Sequence, residues 1–143
     1  MRIAEVLRNK GSSVTTVSPE TSVEDLLEEL TRRNIGALIV VDHDAVIGMV
    51  SERDVVRRIQ KRGAAVLQER VCDIMTTEVF TCLPTDSVDS LAETMTEHRI
   101  RHLPVMVDRS LVGIVSIGDV VKSRMDELRH ERDQLESYID QAR

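Results

Sequence analysis

A serine and an aspartate three residues apart occur twice in matching surroundings, as Ser51-x-x-Asp54 and as Ser116-x-x-Asp119. Each pair follows an apolar stretch, so it falls where a strand would pass into a helix. At a helix N-terminus, such a pair can cap the helix itself. The same oxygens, together with free backbone N–H groups, can instead hold an anion and a neighbouring polyol. One copy would be weak evidence for a site, and two matching copies are far more informative.

The two motifs belong to an internal duplication. Residues 14–58 align with residues 79–123 without a gap, and more than a third of the aligned positions are identical. In each copy the apolar spacing changes between strand-like and helix-like, which predicts the order β-α-β-β-α. The first copy has three extra residues within 8–13, where we predict a longer loop. The copies must share one core, because a unit of about 60 residues buries too little surface alone.

The predicted elements place both motifs at the start of a helix. Short strands are expected at 14–17 and 79–83, each followed by an amphipathic helix with a serine cap at Ser22 or Ser87. Hairpins follow, with predicted strands at 37–41, 46–50, 102–107 and 111–115. The predicted fold class is therefore mixed α/β (α+β), built from tandem β-α-β-β-α repeats. We assign residues 1–62 to repeat 1, residues 63–123 to repeat 2 and residues 124–143 to a C-terminal helical extension.

The C-terminal helix carries apolar residues at heptad-like spacing, interrupted by Arg132: Val121, Met125, Leu128, Leu135 and Ile139. Such a helix can pack along its own domain or pair with a partner chain. Two or three heptads are too few to require a coiled coil.

Composition argues against several classes of function. The chain carries a net charge of −6, all of it within residues 63–143, which disfavours nucleic-acid binding. Phe80 and Tyr138 are the only aromatic side chains, so we expect a bound ring to lie between aliphatic side chains. Cys72 and Cys82 are interpreted as reduced thiols of a cytoplasmic protein and not as metal ligands. No apolar run approaches the length of about 18 residues that a membrane span needs, and no catalytic constellation is present.

The duplicated motifs resemble those of a known family. A gapless β-α-β-β-α duplication, with Gly-x-Val-Ser-x-x-Asp-Val-Val ending each hairpin, is similar to the CBS domain pair, or Bateman module. The run His98–Val105 and the run Val115–Asp119 also look like that family's signatures. The resemblance covers about residues 3–123 and is greatest to the small stand-alone bacterial and archaeal members.

The resemblance implies two repeats related by a pseudo-twofold axis, with three-stranded sheets that face each other across two clefts. Such clefts take adenosine ligands: AMP, ADP, ATP, sometimes NAD or S-adenosylmethionine derivatives. Matched by position, one cleft would contain Ser116, Asp119, Arg101, His102, Val14, Thr15, Ile35, Gly36 and Ala37. The other would contain Ser51, Arg53, Asp54, Gly36, Ala37, Val79, Phe80, Ile100, Arg101 and His102.

Each polar candidate has two interpretations. An ionised aspartate can accept hydrogen bonds from both hydroxyls of a ribose, or it can simply stabilise the start of its helix. Arg53, present in repeat 1 only, would bind phosphate or form a surface ion pair. The Arg101–His102 pair suits phosphate, or is a solvated charge pair at a strand edge.

The corresponding small residues of repeat 1, Gly36 and Ala37, would leave room for an adenine ring to approach the backbone. We expect two non-equivalent clefts, and the Asp119 cleft is the first candidate for an occupied site.

The leading hypothesis is a regulatory module that senses an adenosine nucleotide and signals by conformational or oligomeric change. It implies a small-molecule ligand, no required cofactor, no catalytic activity, an unidentified effector protein, and a homodimer formed through the CBS faces and the C-terminal helix. The alternative is a structural protein that dimerises with its clefts empty.

Overall fold

The computed structural model describes residues 1–142, and Arg143, the last residue of the predicted extension, lies outside them. The first elements are α1 (Ile3–Lys10), β1 (Thr16–Val17), α2 (Val23–Arg33), β2 (Ala37–Asp42), β3 (Ala45–Ser51) and α3 (Glu52–Arg62). After a 3-10 helix at Gly63–Gln68 come α4 (Val71–Ile74), α5 (Val88–His98), β4 (His102–Val107), β5 (Ser110–Ser116) and α6 (Ile117–Ala142). The predicted helices and hairpins are therefore present in both repeats.

Helices α2 and α5 begin at the predicted caps. The Ser22 hydroxyl accepts from the Asp25 amide and the Ser87 hydroxyl accepts from the Ser90 amide, both at 3.1 Å. Each helix ends at a residue in the left-handed conformation, Asn34 and Arg99. Asparagine tolerates that conformation better than arginine does, so the backbone of Arg99 carries some strain.

Repeat 1 contains a three-stranded sheet in the order β1-β2-β3. Strand β1 pairs with β2 in parallel, and β2 pairs with β3 in an antiparallel hairpin. Two-residue turns, His43–Asp44 in repeat 1 and Asp108–Arg109 in repeat 2, close the hairpins with positive φ at both positions. Such turns match the twist of the strands that they join.

The sheet of repeat 2 has only two strands, so the prediction of a strand at 79–83, and of a third strand in this sheet, is wrong. The segment makes one isolated bridge, in which the Cys82 amide donates to the Pro104 carbonyl at 3.0 Å. Pro104 stands where repeat 1 has Ile39, and it has no amide hydrogen to extend the ladder toward Phe80. This segment is therefore extended without being a full strand.

The two repeats exchange their leading helices. The core of repeat 2 contains Ile3, Val6 and Leu7 from α1, whereas the core of repeat 1 contains residues from the 3-10 helix and α4. Matching hydrogen bonds fix both contacts: the Ile3 amide donates to the Asp86 carbonyl at 2.9 Å, and the Val71 amide donates to the Thr21 carbonyl at 2.8 Å. The packing units therefore do not coincide with continuous stretches of sequence.

Gly48 marks a close contact within this arrangement. A Cβ atom at this position would lie 2.8 Å from the Thr76 carbonyl oxygen and 2.8 Å from the Met75 sulfur. Two backbone hydrogen bonds between Met49 and Thr76 hold that carbonyl in place. We therefore expect Gly48→Ala to lower the free energy of unfolding by about 1–3 kcal/mol, measured by urea denaturation.

Gly36→Ala is the matched control, because its Cβ would meet nothing nearer than the Glu52 side chain at 3.5 Å. An equal loss in both variants would contradict the steric explanation.

Helix α6 runs well beyond the repeat. Val120 and Ser123 pack against the domain, whereas the predicted apolar stripe of the helix is exposed. Among residues 1–142, no helix combines the length and the apolar character that a membrane span would need.

Candidate functional site

A cavity of about 570 Å³ lies between the two repeats. Repeat 1 contributes the residues around the end of β3 and the start of α3: Gly36, Ala37, Met49, Val50, Ser51, Glu52, Arg53, Asp54 and Arg57. The extended segment after α4 and the entry to β4 contribute the other wall: Thr76, Glu78, Val79, Phe80, His98, Arg99, Ile100, Arg101 and His102. A molecule bound here would therefore contact both repeats.

Asp54 caps helix α3 and keeps one carboxylate oxygen largely free. Its Oδ2 accepts from the Ser51 amide at 2.8 Å and from the Ser51 hydroxyl at 3.1 Å, and Ser51 Oγ accepts from the Asp54 amide at 3.3 Å. Among the residues that the structure describes, 1–142, its Oδ1 has only a long contact of 3.5 Å from the Thr76 hydroxyl. Capping and ligand binding are therefore compatible at this residue.

Four arginines line the cavity: Arg53, Arg57, Arg99 and Arg101. Within residues 1–142, none of their guanidinium groups forms an ion pair or a side-chain hydrogen bond by the usual distance criteria. The residues that line the cavity include only three carboxylates, Glu52, Asp54 and Glu78. The cavity is thus locally basic in a chain whose net charge is −6, and unpaired guanidinium groups are suited to binding phosphate.

An aromatic stack forms part of the wall. The Phe80 and His98 rings lie 4.0 Å apart between centroids, at an interplanar angle of 22°. The wall of this cavity is therefore not purely aliphatic, unlike the surroundings expected for a bound ring. Such a stack can support a planar base.

Asp119, the counterpart of Asp54 in repeat 2, has different surroundings, because a lysine forms an ion pair with it. Lys10, at the end of α1, donates to Asp119 Oδ2 at 2.6 Å and to the Ile114 carbonyl at 2.9 Å. Asp119 also accepts from the amide and the hydroxyl of Ser116, at 2.8 and 3.0 Å. Burial alone would raise the pKa of the Asp119 carboxyl, but the hydrogen bonds from Lys10 and Ser116 outweigh it and keep the pKa below its ordinary value.

His102 lines the cavity and is also close to Lys10 and Asp119. Its pKa is lowered, first because the ring is largely buried and then because the cations of Lys10 and Arg101 are near, while Asp119 and Glu52 oppose the shift. The imidazole is therefore predominantly neutral at pH 7. A neutral imidazole can donate or accept a hydrogen bond in the cavity, but it adds no positive charge there.

Comparison with known proteins identifies the family. The family model described as "CBS domain" matches residues 4–61 and again residues 71–126. The chain belongs to the CBS domain family.

Two CBS-domain proteins are similar to this chain in sequence or in structure. It is 37% identical over 146 residues to "CBS domain-containing protein CBSX3, mitochondrial" of Arabidopsis thaliana, covering 96% of this chain and 71% of that protein. The crystal structure of the CBS-domain containing protein ATU1752 from Agrobacterium tumefaciens superposes with a TM-score of 0.84. It is 42% identical and covers 87% of this chain and 99% of that one.

A third, more distant protein shares only the fold with this chain. The CBS domain pair of protein MJ0100, solved in complex with 5-methylthioadenosine and S-adenosyl-L-methionine, is 23% identical to this chain. It superposes with a TM-score of 0.75 and covers 89% of this chain and 98% of that one.

The structure gathers one of the two predicted CBS clefts around a single cavity. All ten residues predicted for the Asp54 cleft line it: Ser51, Arg53, Asp54, Gly36, Ala37, Val79, Phe80, Ile100, Arg101 and His102. The remaining candidates do not line it: Ser116, Asp119, Val14, Thr15 and Ile35. Val14 and Thr15 are half-buried before β1, and Ile35 is exposed before β2.

Sequence reasoning did not single out several residues of this CBS cavity. Arg57 lies one helical turn after Arg53, and that spacing was an available signal. His98 and Arg99 lie at the end of α5, and no local pattern shows that this end faces the other repeat. Among residues 1–142 no cluster of His, Cys, Asp or Glu has the geometry of a metal site.

Proposed function

We propose that this CBS pair is a regulatory module that binds an adenosine nucleotide in the cavity beside Asp54 and signals by a change in conformation or association. The observation that supports this proposal most directly is a set of four unpaired guanidinium groups beside a carboxylate with a free oxygen. These groups lie in one cavity that both repeats line. AMP, ADP, ATP and NAD all combine a ribose diol with phosphate. This arrangement suits that combination.

The dimensions support a nucleotide. A cavity of about 570 Å³ falls within the roughly 300–1,000 Å³ of small-molecule sites. Asp54 would accept from the ribose hydroxyls, and the arginines would bind phosphate oxygens. The Phe80–His98 stack and the aliphatic wall would hold the base. A Cβ atom added at Gly36 would meet only the Glu52 side chain, at the ordinary contact distance of 3.5 Å, so the glycine leaves the backbone beside β2 accessible to a ring.

The position of the cavity supports signalling. A ligand that touches α3 of repeat 1 and the entry to β4 of repeat 2 favours one relative arrangement of the repeats over others. The MJ0100 CBS pair, which shares the fold, was solved with two adenosine derivatives. Its example supports an adenosine ligand but does not choose among them.

Calorimetric and thermal-shift titration with adenosine, AMP, ADP, ATP, NAD and S-adenosylmethionine tests the proposal. We expect ATP to bind more tightly than AMP, and AMP more tightly than adenosine, because each phosphate meets further guanidinium groups. At ligand concentrations 100 times the Kd, the stabilisation would be about 2.7 kcal/mol, which corresponds to a rise in Tm of roughly 5–10 °C. No response from ligand-free protein to any of the six would overturn the proposal.

Arg101→Gln isolates the contribution of the basic wall. Loss of one charged phosphate contact of about 1.5–3 kcal/mol should weaken ATP binding by roughly 10- to 100-fold and leave adenosine binding nearly unchanged. Arg109→Gln is the matched control, because Arg109 lies in the exposed β4–β5 turn outside the cavity. An equal effect on ATP and on adenosine would contradict a phosphate contact at Arg101.

We further propose that the module forms a homodimer through its CBS helices and α6. Val56 of α3 and its counterpart Val121 of α6 are 64% and 50% exposed, and the apolar stripe of α6 continues beyond them. This surface also supports the second candidate function, a structural protein that dimerises with empty clefts. The ligand titration separates the two, since only the sensing module responds.

A cytoplasmic location completes the proposal. Cys72 and Cys82 are both free thiols, and burial, followed by the nearby Asp86, raises the pKa of Cys82 to about 12. An unreactive buried thiol and an unpaired second one are typical of a reducing compartment.

A further inference from the structure

The two capping aspartates occupy equivalent positions but have different neighbours. On the repeat 1 side, the Met49 carbonyl accepts from the Thr76 amide at 2.8 Å, and the free oxygen of Asp54 faces only the Thr76 hydroxyl. On the repeat 2 side, the Ile114 carbonyl and the Asp119 carboxylate both accept from the single ammonium group of Lys10. An uncharged partner in one half is thus replaced by a cation in the other.

The cation reaches this place because the leading helices differ in length. Helix α4 ends at Ile74, so the chain continues past Met49 as an extended segment. Helix α1 instead runs to Lys10 and stops at Gly11, whose φ of 95° favours glycine. The three extra residues of the first repeat lie in this region. They lengthen the helix by a turn and bring the ammonium group to the Asp119 carboxylate.

Lys10 weakens Asp119 as an acceptor for the hydroxyls of a ribose. An ionised carboxylate binds a diol by accepting its two hydroxyl hydrogens. Asp119 Oδ2 already accepts from Lys10 and from the amide and hydroxyl of Ser116, and the ion pair neutralises the charge of the whole carboxylate. The Oδ1 of Asp119 is therefore a weaker acceptor for a diol than the free oxygen of Asp54, whose carboxylate forms no ion pair within residues 1–142. The Lys10 and Asp119 side chains are only 32% and 19% exposed, so the pair is weakly screened by solvent.

We propose that Lys10 determines the binding stoichiometry: it neutralises the Asp119 carboxylate that would otherwise bind a ribose, so that one chain binds one nucleotide, at Asp54. This inference rests on the proposed function of the CBS pair. It reverses the order expected from the sequence, in which Asp119 was the first candidate for an occupied site. It also predicts that a neutral side chain at position 10 converts the protein from one site to two.

Calorimetry with ATP on purified, ligand-free protein tests this inference. The wild type should bind one ATP per chain, and Lys10→Met should bind two, because methionine keeps the apolar stem without the charge. The double variant Lys10→Met/Asp119→Asn should return to one. Lys61→Met is the matched control, since Lys61 also lies in the last turn of a helix but contacts neither aspartate.

A ligand-free measurement accompanies the titration. Lys10 is one of the two cations that lower the pKa of His102, and Arg101 is the other, with Asp119 and Glu52 opposing them. Lys10→Met should therefore raise the pKa of His102, read from its ring proton shifts by NMR, whereas Lys61→Met should not change it. An unchanged His102 pKa would show that Lys10 does not occupy the Asp119 position in solution.

The outcomes distinguish this inference from the proposed function. Two ATP molecules on the wild type, or one on Lys10→Met with the wild-type affinity, would overturn the role of Lys10 and leave nucleotide binding intact. No ATP on the wild type would instead remove the proposed site at Asp54. In that case, ATP bound by Lys10→Met and lost on adding Asp119→Asn supports the inference, and no binding by Lys10→Met overturns it.

Discussion

Asp54→Asn is expected to weaken ATP binding by roughly 10- to 100-fold, since a charged acceptor of the ribose hydroxyls is worth about 1.5–3 kcal/mol. The amide can still accept one hydrogen bond, but its NH2 group cannot replace the second acceptor oxygen. The residue lies in the cavity between the repeats with Oδ1 largely free. Calorimetric Kd values for the wild type and the variant provide the measurement.

The fold should tolerate this change. The carbonyl oxygen of asparagine can accept from the Ser51 amide as Asp54 Oδ2 does, so the helix retains its cap. The loss of a negative charge in the first turn of α3 should cost only about 0.3–1 kcal/mol of stability. Urea denaturation of both proteins therefore separates a binding effect from partial unfolding.

Asp119→Asn is the matched control, because it makes the same chemical change in the same motif. We expect it to leave ATP affinity unchanged, since Lys10 already pairs with the Asp119 carboxylate and neutralises its charge. If Asp119→Asn abolished binding and Asp54→Asn did not, the occupied cleft would be the one on the repeat 2 side. Unchanged affinity in both variants would exclude an aspartate–ribose contact at either cleft.

Local signals in the sequence predicted most of the fold. Ser22 and Ser87 begin their helices because a serine before an apolar 3-4 pattern supplies the acceptor that the first free amides need. Ser51 and Asp54 form the reciprocal cap expected of their spacing. The duplication strengthened these predictions, because each local pattern occurs in both copies. Where the copies differ, at Pro104, the third strand was lost.

The asymmetry of the site could not be predicted in the same way. Lys10 and Asp119 are more than a hundred residues apart, and their contact depends on the exchange of α1 into the core of repeat 2. The three-residue difference between the copies was visible, but the prediction of a longer loop was wrong: helix α1 runs to Lys10 and is longer than its counterpart α4. Arg99 likewise reaches the cavity through the packing of α5 and not through any pattern around it.

Leu128→Glu is expected to convert the proposed homodimer into a monomer, measured by analytical ultracentrifugation. Leu128 is 50% exposed on the apolar stripe of α6, and Leu135 and Ile139 on the same stripe are 64% and 54% exposed. A charge on each copy of this interface should weaken association by roughly 100-fold or more, because central apolar contacts carry most of the binding energy. Ser137→Glu, which adds the same charge on a different face of α6, is the control.

The charges that flank the stripe favour an antiparallel pair of α6 helices. In a parallel pair, the heptad positions would place Arg132 against its own copy and Glu131 beside Glu136 of the second copy. Antiparallel helices centred between Asp133 and Gln134 instead place Arg129 beside the opposite charge of Glu136, on both sides of the pair. Like charges would then be replaced by two ion pairs.

Charge reversal distinguishes the two orientations. In an antiparallel dimer Arg129→Glu faces Glu136 and weakens association, and adding Glu136→Arg restores it. In a parallel dimer Arg129→Glu would instead face Arg124 of the second copy and strengthen association. Exposed pairs contribute only about 0.2–1 kcal/mol each, but the twofold axis doubles the effect, so the sign of the change in Kd is measurable. A wild-type protein that is monomeric at all concentrations would exclude both orientations, and α6 would then be free to contact a different protein.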